Sequence, residues 1–451
     1  MKAPAILLSI FVLFPHFVLA QNDYSLDLSQ IEKETERKPY SLGGYLEFRP
    51  NSFWLDKDAA LYKLSFYDRS KRRALDEYNF AVLLDASYQK GILHSFLRTN
   101  VELKESSIES SGEITVFEGY VSLKPTPLLT VDLGKKTLKW GKGYAWNPVA
   151  FVDRPKDPDD PALPLEGFIV ASADYIKAFS GPLQAVSLTP VIIPVYQNTN
   201  DDFGKSSGVN FAGKLYFLFY DTDIDFMFLA GSSKPSRFGM DFSRNITSNW
   251  AVHGEFAFVD DFEKTFVDSN GMTFQERYDA KSYILGMRYL TKRDTTFIFE
   301  YYRNSAGYDT GEMNEFFEFV NEWNDLFLTS GDDALLKKAS AAAEKGYAVR
   351  SPMTDYLYTR ISQKEPFGIL YLTPSVTWIF NVDDESYSLS PELLYTGITN
   401  LQLRLKAGFI VGQRNTEYGE KRNDCRLEFR LRYYFDATKF RLQLDGTQRR
   451  R

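Results

Sequence analysis

Residues 425–435 read CRLEFRLRYYF, and their order decides the fold. Cys425, Leu427, Phe429, Leu431 and Tyr433 fall on one side of an extended chain. Arg426, Glu428, Arg430 and Arg432 fall on the other, because successive side chains of a strand point to opposite faces. A soluble strand averages only about 5–6 residues. A dyad of this length matches instead a tilted strand crossing a hydrocarbon core.

The same pattern recurs toward the N-terminus. Leu401, Leu403, Leu405, Ala407, Phe409 and Val411 oppose Gln402, Arg404 and Lys406. Phe211, Leu215, Phe217 and Phe219 oppose Asn210, Lys214 and Tyr216; Tyr78, Phe80, Val82, Leu84, Ala86 and Tyr88 oppose Asn79, Asp85 and Ser87. Eighteen segments qualify: 41–50, 76–90, 92–104, 113–124, 127–137, 166–180, 184–195, 208–220, 222–232, 236–245, 248–261, 279–291, 294–305, 353–364, 367–381, 385–397, 399–412 and 424–435. They predict an all-β, transmembrane antiparallel β-barrel of 16–18 strands, with 18 preferred.

The connections alternate in length, with 51–75, 105–112, 138–165, 196–207, 262–278 and 306–352 long and the intervening turns short. Barrels of the outer membrane keep long loops outside and short turns in the periplasm. With a periplasmic N-terminus, every long connection falls on the external side. One of them, 312–345, has Phe316, Val320, Trp323 and Phe327 at helical spacing and is expected to be the one helical region.

Residues 1–20 read as a cleaved signal peptide, with Lys2 before an apolar run and Val18 and Ala20 at the cleavage positions. Residues 21–40 are expected to be a periplasmic lead-in and 41–435 the barrel. Residues 436–451 form a tail or one more strand, since Phe440, Leu442 and Leu444 alternate. The expected location is therefore the outer membrane of a Gram-negative bacterium. Composition agrees: 16% of the chain is aromatic, as lipid-facing bands and interfacial girdles require. With 53 basic against 60 acidic residues, a basic nucleic-acid binder is excluded. Cys425 is the only cysteine, which rules out an internal disulfide or a thiolate metal cage. Beyond His16 in the signal, only His94 and His253 remain, and neither lies in a nucleophile motif. The expectation is no enzyme, no cofactor and no metal.

The most distinctive stretch is 134–167, GKKTLKWGKGYAWNPVAFVDRPKDPDDPALPLEG. Gly141 and Gly143 permit tight bends, and Pro148, Pro155, Pro158 and Pro161 stiffen the path. Trp140, Gly141, Gly143, Trp146, Asp153, Arg154 and Asp157 are the candidate constriction residues. Asp153, Asp157, Asp159 and Asp160 offer carboxylates to a divalent cation. The prolines between them fit no regular calcium-loop spacing, so solvated loop carboxylates are expected. The pattern of Gly134, Leu138, Trp140, Gly141 and Gly143, followed by a Pro/Asp-rich loop, resembles the corresponding segment of porin-like outer-membrane barrels, including alginate-export-type barrels. The resemblance implies that this third external loop folds inward and narrows a channel.

Candidate pore-lining residues are Arg404, Lys406, Arg426, Glu428, Arg430 and Arg432, with His253, Glu255 and Asp85. A cationic stripe facing acidic residues such as Asp85, Glu102 and Glu255 would set up a transverse field. The expected function is passive passage of small polar or anionic solutes. The alternative is a barrel scaffold or sheath that docks an efflux or electron-transfer component of the envelope. Expected partners are outer-membrane lipid and lipopolysaccharide, the barrel-assembly machinery and a small-molecule solute, with no nucleic acid. A homo-oligomer is compatible with the resemblance.

Overall fold

A computed structural model describes residues 38–439. The signal peptide, most of the lead-in, and Phe440, Leu442 and Leu444 lie outside the described residues. The dyads become eighteen strands. They are β1 (Tyr40–Leu55), β2 (Ala74–Lys90), β3 (Leu93–Ser106), β4 (Ser110–Thr126), β5 (Leu129–Lys136), β6 (Phe168–Ala178), β7 (Leu183–Val195), β8 (Gly208–Phe219) and β9 (Thr222–Gly231). The second half is β10 (Arg237–Thr247), β11 (Trp250–Val267), β12 (Thr273–Leu290), β13 (Thr295–Asn304), β14 (Asp355–Gln363), β15 (Leu372–Asn381), β16 (Tyr387–Ile398), β17 (Leu401–Val411) and β18 (Asn423–Asp436).

Each strand pairs antiparallel with its sequence neighbours, and β1 also pairs with β18 through Gly44↔Phe435 and Phe48↔Leu431. The sheet therefore closes and leaves no edge, as a sheet in hydrocarbon must. Among the described residues, no further strand enters between β18 and β1, which pair directly.

Burial follows the dyad with its usual sense inverted. Leu405 on β17 is 42% exposed, whereas its neighbour Lys406 is 1% exposed. On β18, Leu427 and Phe429 are exposed while Glu428 and Arg430 are buried. Charged side chains face inward and apolar ones face out, the arrangement that lipid imposes.

Three expectations are corrected. The 51–75 connection is shorter than expected, because β1 runs on to Leu55, and it carries a helix of its own, α1 (Ala60–Phe66). The helical content is thus not confined to one loop. The 105–112 and 262–278 connections are largely ladder: β11 and β12 pair out to Val267↔Thr273 and leave only a short turn. Residues 105–112 are mostly polar and give no apolar face to read, and a register shift between Val259 and Phe262 interrupts the dyad before 262–278.

The 306–352 connection forms the expected helix pair, α2 (Thr310–Ser330) and α3 (Ala334–Ala342). A capping box starts α2: the Glu312 amide donates to Asp309 at 2.9 Å, and the Asp309 amide donates to Glu312 at 2.8 Å. Gly331 ends it in the left-handed conformation. Phe316, Phe319 and Val320 are buried with Tyr347, Ala145 and Trp146, so α2 packs over the tip of the long loop that follows β5.

Candidate functional site

The long loop, residues 137–167, enters the barrel and is fastened to two walls. Its base is tied by Asp153, which accepts from the amides of Leu138 at 2.7 Å and Trp140 at 3.0 Å. Burial pushes the Asp153 carboxyl up, against the pull of these amides. Trp140, Val149, Ala150, Phe151 and Val152 then pack on an apolar inner face made by Val170, Val191, Ile193, Ala212, Met227, Leu229 and Ala257.

The next segment wraps its amides around two wall carboxylates. Glu255 on β11 is 3% exposed and accepts from Lys142 at 2.6 Å, from Val149 at 3.3 Å and from Gly143. Glu300 on β13 is fully buried and accepts from Ala145 at 2.8 Å and from Tyr144. Glycine is required at both bends. At Gly141 φ is +94°, and an added Cβ would meet Glu255 at 2.8 Å; at Gly143 it would meet the Trp146 carbonyl at 2.3 Å. Two side chains reinforce the dock: the Lys142 ammonium lies 3.0 Å from Asp225, and the Lys156 ammonium donates to the Gly143 carbonyl. His253 on β11 sits 2.6 Å from Glu300.

The acidic end of the loop reaches the other wall. Asp159 meets Lys406 at 2.8 Å and Arg426; Asp160 meets Arg404 at 2.8 Å and Arg430 at 2.9 Å. Glu428 bridges Arg404 and Arg430, and Arg432 reaches Glu47 at 2.6 Å. Asp157 pairs with Arg350 at 3.0 Å. The walls are thus polarised. Asp225, Asp241, Glu255 and Glu300 lie on β9–β13; Arg360, Arg404, Lys406, Arg430 and Arg432 lie on β14–β18 and outnumber the buried Glu392 and Glu428 among them. The loop is polarised to match, with an ammonium and a row of amides toward the acids and aspartates toward the arginines. Complementarity of this kind fixes orientation.

No family model matches the sequence, and no curated protein is similar to it. Solved structures are similar in fold. The chain is similar to OccAB1 of Acinetobacter baumannii, with a TM-score of 0.53 and 10% identity over 88% of this chain and 96% of that one. It is also similar to a BenF-like porin from Pseudomonas fluorescens Pf-5, with a TM-score of 0.52 and 10% identity over 88% and 98% of the two chains. The chain has the fold of a porin-like outer-membrane β-barrel.

In this porin-like barrel the two sets of sequence candidates meet: the loop carries Asp157, Asp159 and Asp160 to the stripe residues or beside them. Trp140 and Trp146 are buried anchors, Trp146 stacking on Tyr302 at 5.0 Å. Arg154 faces away from the stripe and pairs with Asp202 and Glu166. Two expectations need correction. The loop aspartates are not simply solvated, because amides and cations take their oxygens. Asp85 and Glu102 do not face the stripe from across the barrel; Asp85 pairs with Arg98 on the neighbouring β3, and Glu102 on β3 reaches Arg49 on β1, two strands along the same wall. Sequence reasoning missed Glu300 and Asp225. A signal existed for Glu300: on the inner face of β13 it stands alone between Ile298 and Tyr302, and a buried carboxylate without a local partner implies a donor from elsewhere.

The aspartate dock has a defined acid limit. Burial alone would raise the Asp160 carboxyl, but Arg404 and Arg430 outweigh it and hold it at about 2. Because this lies below the unfolded value of about 3.9, the contribution of Asp160 is complete above about pH 4 and is lost as pH falls through about 2. Conductance is therefore expected to stay flat from neutral pH to about pH 4 and to change only toward about pH 2. A conductance titration in planar bilayers checks this.

Proposed function

We propose that this chain is a channel of the Gram-negative outer membrane through which small polar or anionic solutes pass without energy input. The carrying observation is the closed wall that turns its charged residues inward, with the chain's own loop fastened across the space they enclose. Barrels of this size without a plug leave room for water. The loop narrows that room, and the polarised walls set which solutes fit.

The anionic preference rests on the β14–β18 wall. Its cations outnumber the carboxylates that the wall itself supplies, and Arg426 stays partly open to the lumen, with 27% of its side chain exposed. Reversal potentials across a salt gradient test the preference. The wild type is expected to favour anions. Arg426→Glu replaces one cation by an anion beside Asp159 and is expected to cut the anion-to-cation permeability ratio by about twofold or more. A wild-type channel that favours cations would overturn the solute class. Swelling of liposomes in different solutes then ranks the substrates.

A further inference from the structure

We propose that Arg154, Lys234 and Arg237 form a binding site for a small oxyanion at the external end of the lumen, on the wall across from the arginine stripe. The site deepens the channel reading by giving an entering anion a first stop, and it rests on that reading only for its purpose.

Arg237 opens β10. Two residues on, an added Cβ at Gly239 would meet Phe151 of the inserted loop at 2.9 Å, and Asp241 beyond it is buried. The dyad therefore turns Arg237 inward, while Phe238 is exposed to lipid. Lys234 lies in the 232–236 turn between β9 and β10, and that turn is clamped. The Lys205 amide donates to the Ser233 carbonyl at 2.9 Å, and the Ser206 hydroxyl donates to the Ser232 carbonyl at 2.6 Å. The Asn210 side chain accepts from the Ser233 amide at 3.1 Å and donates to its hydroxyl at 2.9 Å. Beyond Lys234 the Asp260 amide donates to the Ser236 carbonyl at 2.9 Å, so the backbone is held by hydrogen bonds on both sides of it.

The three cations share an aromatic floor of Phe151, Phe168 and Phe203, all buried. The Lys234 ammonium is 3.7 Å from the Phe203 ring centre and 5.8 Å from that of Phe168. The Arg154 guanidinium is 4.9 Å from Phe168, and that of Arg237 is 6.0 Å from Phe151. Ring faces attract cations but carry no net charge, so they leave the positive charges of Lys234 and Arg237 uncancelled. Arg154 has Asp202 at 2.5 Å and Glu166 at 3.1 Å. Neither Lys234 nor Arg237 forms an ion pair with any described acidic residue, and the buried Nε atoms of Arg154 and Arg237 have no acceptor. Buried N–H donors left open need an explanation, and an oxyanion supplies both the acceptors and the charge.

The groups facing Lys234 are Arg237 from β10, Arg154 from the inserted loop and Asp202 from the 196–207 connection. Burial first, and the two arginines with it, push the lysine down to about 7, while Asp202 opposes them. A bound anion would reverse that shift, so binding strengthens as Lys234 takes up its proton.

Isothermal titration of the full chain in detergent with inorganic sulfate tests the site, because sulfate keeps its charge across the range. Saturable binding is expected at about pH 6 and about tenfold weaker binding at about pH 8. Lys234→Met should weaken binding about tenfold or more at the lower pH, whereas Lys234→Arg should bind equally at both. Heat-dependent gel migration establishes that each variant is folded. No saturable binding by the wild type, or unchanged binding by folded Lys234→Met, overturns the site. The outcome is separate from the channel reading: an anion-selective pore that ignores sulfate loses only this site, and an electrically silent barrel that binds sulfate keeps it.

Discussion

Replacing Glu255 and Glu300 together by alanine is expected to raise single-channel conductance by about twofold or more, with the barrel itself intact. Five loop amides, those of Lys142, Gly143, Tyr144, Ala145 and Val149, give their protons to these two carboxylates. A buried amide left without an acceptor costs roughly 1–3 kcal/mol. Summed over one short segment, the loss weakens the hold of this wall on the loop. Lys156 would also lose two carboxylates that offset its burial. The loop should then leave the β11–β13 wall and widen the path. The ladder does not depend on either side chain, so heat-dependent gel migration should be unchanged. A conductance equal to wild type would mean that the loop does not limit the pore.

Asp159→Asn with Asp160→Asn is expected to act on the opposite wall and to change selectivity more than size. The two carboxylates pair with Arg404, Lys406, Arg426 and Arg430. Removing one partner of a buried ion pair costs roughly 3–5 kcal/mol, because a charge is left without compensation. Thermal unfolding in detergent should therefore shift to lower temperature. The freed cations should raise the anion-to-cation permeability ratio by about twofold or more, the reverse of the expected effect of Arg426→Glu. Reversal potentials measure both. A fall in anion preference in the double variant would contradict the placement of the stripe along the conducting path.

Much of this fold is legible in the sequence because lipid enforces it residue by residue. Around Leu405 and Lys406 the alternation is complete, and strand existence follows from it. The alternation weakens where the loop packs. Ile169 and Ile192 face lipid while Val170 and Val191 face the loop, so both sides of β6 and β7 read apolar. Such a run announces a strand buried on two faces, but it does not say that the second cover comes from the same chain. The α1 helix was illegible for a different reason. Seven residues hold too few periodic positions, and its burial against α2 and α3 is tertiary. The site was half legible. The stripe is written as alternating Arg, Glu and Lys on β17 and β18, and the Pro/Asp-rich loop is visible as a segment. What joins them is a contact across more than two hundred residues of chain, Asp160 to Arg404. Local patterning holds no record of that distance, and only the closed barrel brings the two together.

Single-channel recording of the purified full chain in a planar bilayer tests the central claim most directly. Discrete current steps are expected on insertion, with a reversal potential on the anion side. A folded, heat-modifiable barrel that inserts and stays electrically silent would contradict it.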